Sequence, residues 1–148
     1  MANFLASGHY STLKRLCSFF NERLDIKGNE IVSPLTIFPI MDLDDCTPST
    51  AVSYQTGEMF RHLSLRPRIV PIYNGPNLDE VMAKMGFPID KRNKPAAYER
   101  MFPANSGGIE AVRSLRDQFY SIDQKTVNTN MYIFLDACLQ EAEKRLIV

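Results

Sequence analysis

The sequence contains no tryptophan, only two histidines and only three cysteines, and its 17 basic and 17 acidic side chains cancel to a formal net charge of zero. Each shortage removes a class of function. Without a charge excess, the chain as a whole offers no broad attraction to nucleic acid or to an anionic membrane. Cys17, Cys46 and Cys138 are an odd set with no CxxC spacing. A disulfide scaffold is therefore not expected, and a reducing, cytoplasmic setting is, whether in the protein's own cell or in a host. His9 and His62 stand outside any short ligand spacing to a cysteine, so they predict no metal site. No run approaches the roughly 18 apolar residues of a spanning helix. The opening stretch MANFLASGHYSTLKRL lacks the basic segment and long apolar core of a signal peptide. No cofactor and no membrane partner are expected.

What is present is globular composition: 148 residues, 45% hydrophobic and 23% charged. A chain of this length buries roughly 68–70% of the surface its unfolded form exposes, enough for one domain over residues 1–148 without a metal or a crosslink. Nine prolines, seven methionines and nine phenylalanines set its texture.

Periodicity places the elements. Leu13, Leu16, Cys17, Phe20 and Leu24 recur at helical intervals, predicting a first helix that starts at Ser11 or Thr12 and ends near Asp25. Gly28 and Asn29 then predict a tight reversal. From Glu30 to Met41 the β-branched run is broken by Pro34 and Pro39, which predicts an edge strand or two short extended pieces. The stretch from Cys46 to Arg68 has no sustained period. It reads as a loop followed by a short strand at Ala51–Tyr54 or a helical turn around Glu58–Leu63. Ile69, Val70 and Ile72 predict a second extended segment, and NGPN a turn. Asn77 caps a short helix with Glu80 at the capping-box position; Leu78, Val81, Met82 and Met85 form its stripe, and Gly86 stops it. The proline-rich, centrally basic stretch from Phe87 reads as a connection as far as Gly107. Ser106 precedes a helix through Tyr120 with Ile109, Val112, Leu115 and Phe119 aligned and Ile122 beyond. A final helix runs from about Asn128 to Leu146 with Met131, Leu135, Cys138, Ala142 and Leu146 on one face. A short connection makes two such helices antiparallel neighbours. The expected fold is α+β: helix-dominated, with a C-terminal helical hairpin and a small sheet of short extended segments.

One stretch invites chemistry. In IFPIMDLDDCTPST an apolar run breaks into Asp42, Asp44 and Asp45. If the run is extended, Asp42 and Asp44 project to one side and Leu43 to the other, and paired carboxylates at a strand end can share a hard cation such as magnesium. All three aspartates are candidate metal ligands. The string DLDD after an apolar run resembles the first motif of the haloacid dehalogenase-like phosphatases. That resemblance implies Asp42 as nucleophile, Asp44 as general acid and base, and magnesium on the phosphoryl oxygens. It covers about eight residues. Cys46 stands where the family has threonine, Asn74 follows the next extended segment in place of serine or threonine, and Asp136 is alone where an acidic pair is due.

Two further surfaces suggest themselves. Arg61, His62, Arg66 and Arg68, with Lys91, Arg92, Lys94 and Arg100 beside Tyr98, are basic runs of the kind that grip phosphates and stack a base in a single-stranded nucleic-acid binder. Met59, Phe60, Met85, Phe87, Tyr98, Met101 and Phe102 are flexible or aromatic apolar residues in short or irregular segments, the composition of protein interfaces. Met59, Phe60, Phe87, Tyr98, Met101 and Phe102 are the interaction residues expected. The reading that follows is a non-enzymatic protein-interaction or assembly protein, an accessory, adaptor or inhibitor binding another protein or itself as a homo-oligomer. The alternatives are a magnesium-dependent phosphoryl-transfer enzyme using Asp42 and Asp44, and a single-stranded nucleic-acid binder.

Overall fold

A computed structural model describes residues 25–27, 30–32, 34–63, 66–87, 89, 92–102 and 108–146. The helix expected from Ser11 to Leu24 lies outside the described residues. So do Ser106, Lys91 and the side chain of Met101. The fold is helix-dominated α+β, with a small mixed sheet and a tightly packed C-terminal helix pair. Among the described residues no helix is long and apolar enough to cross a membrane. The described residues cluster into two compact units: those up to Pro39 with Pro48–Pro71, and Ile40–Thr47 with Ile72 onward.

The first unit contains β1 (Ile26–Lys27) and β2 (Glu30–Ile31). They pair antiparallel with Ile26 opposite Ile31. Ile37 bridges Ile69 in parallel, its N–H donating to the Arg68 carbonyl at 2.7 Å. The strand expected at Ala51–Tyr54 does not form: α1 (Pro48–Gln55) occupies it. Pro48 stands at the first helical position, where its fixed φ suits a helix and its missing N–H costs nothing. Only Tyr54 of this helix is buried, so no apolar stripe announced it. The Tyr54 hydroxyl donates to the Pro39 carbonyl at 2.7 Å, and Phe60 meets its ring edge-on at 5.6 Å. The helical turn expected near Glu58 is present as a 3-10 turn over Glu58–Phe60, and a second spans Arg66–Arg68. Gly57 between α1 and the first turn has φ 73°, and a Cβ there would lie 2.7 Å from the Arg66 guanidinium.

In the second unit β3 (Ile40–Asp42), β4 (Ile72–Gly75) and β5 (Asn128–Thr129) form a sheet in that order. β3 and β4 run parallel and β5 antiparallel to β4. Pro39 thus precedes an edge strand, where a missing donor is tolerated. β4 takes in Asn74 and Gly75, the first half of the stretch expected to turn, and the reversal follows at Pro76. α2 (Leu78–Lys84) starts and stops as the sequence predicts: the Asn77 side chain accepts from the Glu80 N–H at 3.0 Å, and Gly86 follows with φ 87°.

The expected connection after Phe87 contains a helix, α3 (Lys94–Met101). Its start carries Asn93 and Pro95, ordinary entry signals. Its low hydropathy concealed it. Phe102 just beyond stacks near Tyr98 at 6.2 Å and Phe119 at 6.5 Å between ring centres. α4 (Gly108–Ser121) buries Leu115 and Phe119 as the spacing predicts. The final helix, α5 (Met131–Leu146), begins after the expected start because Asn128 and Thr129 pair with β4 instead. Its buried line is Met131, Leu135 and Leu139, whereas Cys138 is exposed and Leu146 is 74% exposed. The buried line follows the i, i+4, i+8 path, so Leu139 takes the inward place expected of Cys138, and the expected inward Ala142 is exposed. Arg113 reaches Glu143, Arg116 reaches Asp136, and Tyr120 meets Tyr132, the descending order of an antiparallel pair. Ile72, Val81, Met82 and Phe119, all fully buried, form the centre of this unit.

Candidate functional site at the carboxyl edge of the sheet

The carboxyl ends of adjacent parallel strands are where open α/β sheets commonly receive ligands. Here β3 ends at Asp42 and β4 places Asn74 beside it, in register, while Thr129 of β5 pairs with Asn74 from the other side. Register therefore sets three polar side chains in a row across the sheet. Asn74 is 0% exposed and Thr129 2%. The Thr129 hydroxyl donates to Asn74 Oδ1 at 2.9 Å, and Asn74 Nδ2 donates to Asp42 Oδ1 at 3.2 Å. The row is closed at both ends by helix amides. The Leu78 N–H at the start of α2 donates to Asp42 Oδ1 at 3.1 Å, and the Met131 N–H at the start of α5 donates to Thr129 Oγ1 at 3.2 Å. The buried amide of Asn74 is satisfied on both its oxygen and its nitrogen, as a buried polar group must be.

Backbone contacts fix the frame. Leu43 N–H donates to the Asn74 and Pro76 carbonyls at 2.9 and 2.8 Å, and Asp44 N–H to the Pro76 carbonyl at 2.9 Å. Asn130 Oδ1 accepts from the Tyr73 N–H at 2.8 Å, and Gln124 brackets Thr129 by accepting from its N–H and donating to its carbonyl. Around the outer rim, Asn77 Nδ2 donates to Asp44 Oδ2 at 2.7 Å. Asp79, in the first turn of α2, accepts from Lys94 and from the Tyr98 hydroxyl, both on α3. Partial burial, then the hydrogen bond to Asp79 and the charges of Asp79 and Asp42, push the Tyr98 phenol well above its ordinary value of 10.0. The phenol stays a proton donor.

The structure therefore turns the expected aspartates toward the protein's own donors. β3 ends at Asp42, so Asp44 lies beyond the strand; Asp42 accepts from Asn74 and a helix amide, Asp44 accepts from Asn77, and Asp45 is exposed. Among the described residues no group of three or more histidine, cysteine, aspartate or glutamate side chains is placed to hold a metal ion. The Cys46 thiol lies 3.9 Å from Met41 Sδ. Cys46 and Cys138 are both free thiols.

The other expected residues are spread out. Phe60, 3% exposed, belongs to the core of the first unit, and Met59 is half-buried. In the second unit Tyr98 and Phe102 are half-buried and Phe87 is at the margin of exposure. Arg61 is engaged by Glu58 and His62, and Arg66 lies against Gly57. Arg68 is half-buried, while Arg92 is exposed and belongs to the other unit. Sequence reasoning missed Asn74, Thr129 and Asp79 as parts of the site. The usable signal was Asn74 itself, a polar amide closing an apolar strand.

No protein-family model, no curated protein and no solved structure matches this chain.

Proposed function

We propose that the chain is a non-enzymatic protein-interaction or assembly protein, acting as an accessory, adaptor or inhibitor that binds another protein or itself. The observation that carries this reading is Tyr120. It is 70% exposed at the end of α4 yet held edge-on to Tyr132 of α5, with ring centres 5.3 Å apart. An exposed aromatic whose orientation is already set loses little rotamer freedom when a partner covers it, and tyrosine is among the residues that dominate binding energy at interfaces. Engagement of Asp42 and Asp44 by internal donors supports the same reading, since those carboxylates are the strongest chemical candidates in the sequence.

Self-association is the first test. Light scattering on the full chain should show a concentration-dependent mass increase that Tyr120→Ala weakens at least about tenfold in dissociation constant, the effect of removing a central aromatic anchor. A strict monomer that also fails to capture any protein through Tyr120 would sink the reading. Magnesium-dependent phosphatase turnover lost in Asp42→Asn would replace it with the phosphoryl-transfer reading. Salt-sensitive binding of single-stranded RNA or DNA, lost when Arg66 and Arg68 are neutralised, would replace it with the nucleic-acid reading.

A further inference from the structure

Asn74 and Gly75 make an Asn-Gly pair inside β4, and this pair has a chemistry of its own. In a free chain the backbone nitrogen of the glycine attacks the asparagine Cγ, the C–N bond to the side-chain nitrogen breaks, and ammonia leaves. The resulting five-membered imide is opened by water at either carbonyl, giving aspartate or its β-linked isomer. The net change is one water consumed and one ammonia released, with no other reactant. Glycine in the second position is the most permissive, because it has no side chain to obstruct the attack or to restrict the backbone rotation that precedes it.

Every requirement of that reaction is denied in the folded sheet. The attack needs Asn74 to rotate about its backbone and its side chain until Cγ lies over the Gly75 nitrogen. Strand pairing holds the backbone, with Asn74 in register with Asp42 on one side and Thr129 on the other. Bonds from Thr129 to Oδ1 and from Nδ2 to Asp42 hold the side chain. Complete burial keeps solvent base and water away.

We infer that Asn74–Gly75 is a latent modification site, closed by the fold and opened only when the β3–β4–β5 sheet comes apart. The modification also runs one way. Aspartate at this position has no N–H to offer Asp42, and it buries a carboxylate beside the like charge of that more exposed one, where ionisation is costly. The β-linked isomer adds a backbone atom and breaks the register with Asp42 and Thr129. A molecule that opens long enough to react cannot close again as before.

The test uses the full chain in mildly alkaline buffer, native or unfolded in guanidinium chloride, digested after timed incubation and analysed by peptide mass. In the unfolded sample Asn74, located by fragmentation of its peptide, should convert ahead of Asn77, Asn128 and Asn130, each of which precedes a bulkier residue. In the native sample its conversion should be at least about tenfold slower, because only the open fraction reacts. Equal native and unfolded rates would overturn the protection, and an unreactive Asn74 in the unfolded chain would overturn the site. For the one-way half, converted molecules should remain in the unfolded or aggregated fraction after the denaturant is removed. Their refolding alongside unmodified protein, or an unchanged denaturation midpoint in Asn74→Asp, would overturn it.

Discussion

Within the second unit, the polar row of the sheet and the charged flank of the α4–α5 pair use similar side chains to different ends. In the row, Asn74 and Thr129 are buried and their polar side-chain atoms are met by partners inside the protein. On the helix pair, Arg113 spans Glu110 and Glu143, and Arg116 spans Asp117 and Asp136, with partly or largely exposed side chains where water offers equivalent bonds. Exposed ion pairs contribute little because solvent competes and long side chains lose freedom. The helix pair is held instead by Leu115, Phe119, Leu135 and Leu139 beneath those charges. Polar contacts specify the sheet and apolar contacts stabilise the helices.

That contrast can be broken at several points. Phe119→Ala, at the fully buried centre, should cost about 3–5 kcal/mol in urea unfolding. Asn74→Ala should cost less, about 1–3 kcal/mol, by leaving the Thr129 hydroxyl and one Asp42 bond unmade. If Asn74→Ala matched a surface substitution instead, the row would not be specifying the sheet. Tyr98→Phe tests the rim through pH. The raised phenol pKa means the folded state holds its proton more tightly than the unfolded one, so the Tyr98 contribution is complete below 10.0 and is lost as pH rises past it. Urea midpoints between neutral and strongly alkaline pH should fall in the wild type and fall less steeply in Tyr98→Phe. Equal slopes would remove Tyr98 from the rim's energetics. The smallest effect is expected for Arg113→Ala, whose midpoint should match the wild type within error; a clear loss would mean the charged flank is holding the helices together.

Legibility in the sequence follows the range of each interaction. The α2 cap at Asn77, its stop at Gly86 and the buried faces of α4 could be read because cause and effect lie within a few residues. α1 and α3 escaped because neither carries a marked apolar stripe: α1 buries Tyr54 alone, and α3 is tied down by Asp79 through Lys94 and Tyr98. The polar end of β3 at Asp42 could be read from the apolar run before it. Its partner could not, since Asn74 finds Asp42 across 32 positions and Thr129 across 55. β5 was hidden for the same reason. Two residues form a strand only because β4 offers an open edge, and nothing local distinguishes Asn128 and Thr129 from the first turn of a helix.

The register of the three strands also imposes an order on the birth of the molecule. β3 and β4 must wait for Asn128 and Thr129 before the sheet is complete, and α5, which directly follows β5 in the chain, can pair with α4 only after that. Non-local strand pairing is also the slower process once all its parts exist. During synthesis, Asp42 and Asn74 are therefore made early and kept waiting, with an open strand edge beside them. Translation speed between residues 75 and 128 sets how long that interval lasts.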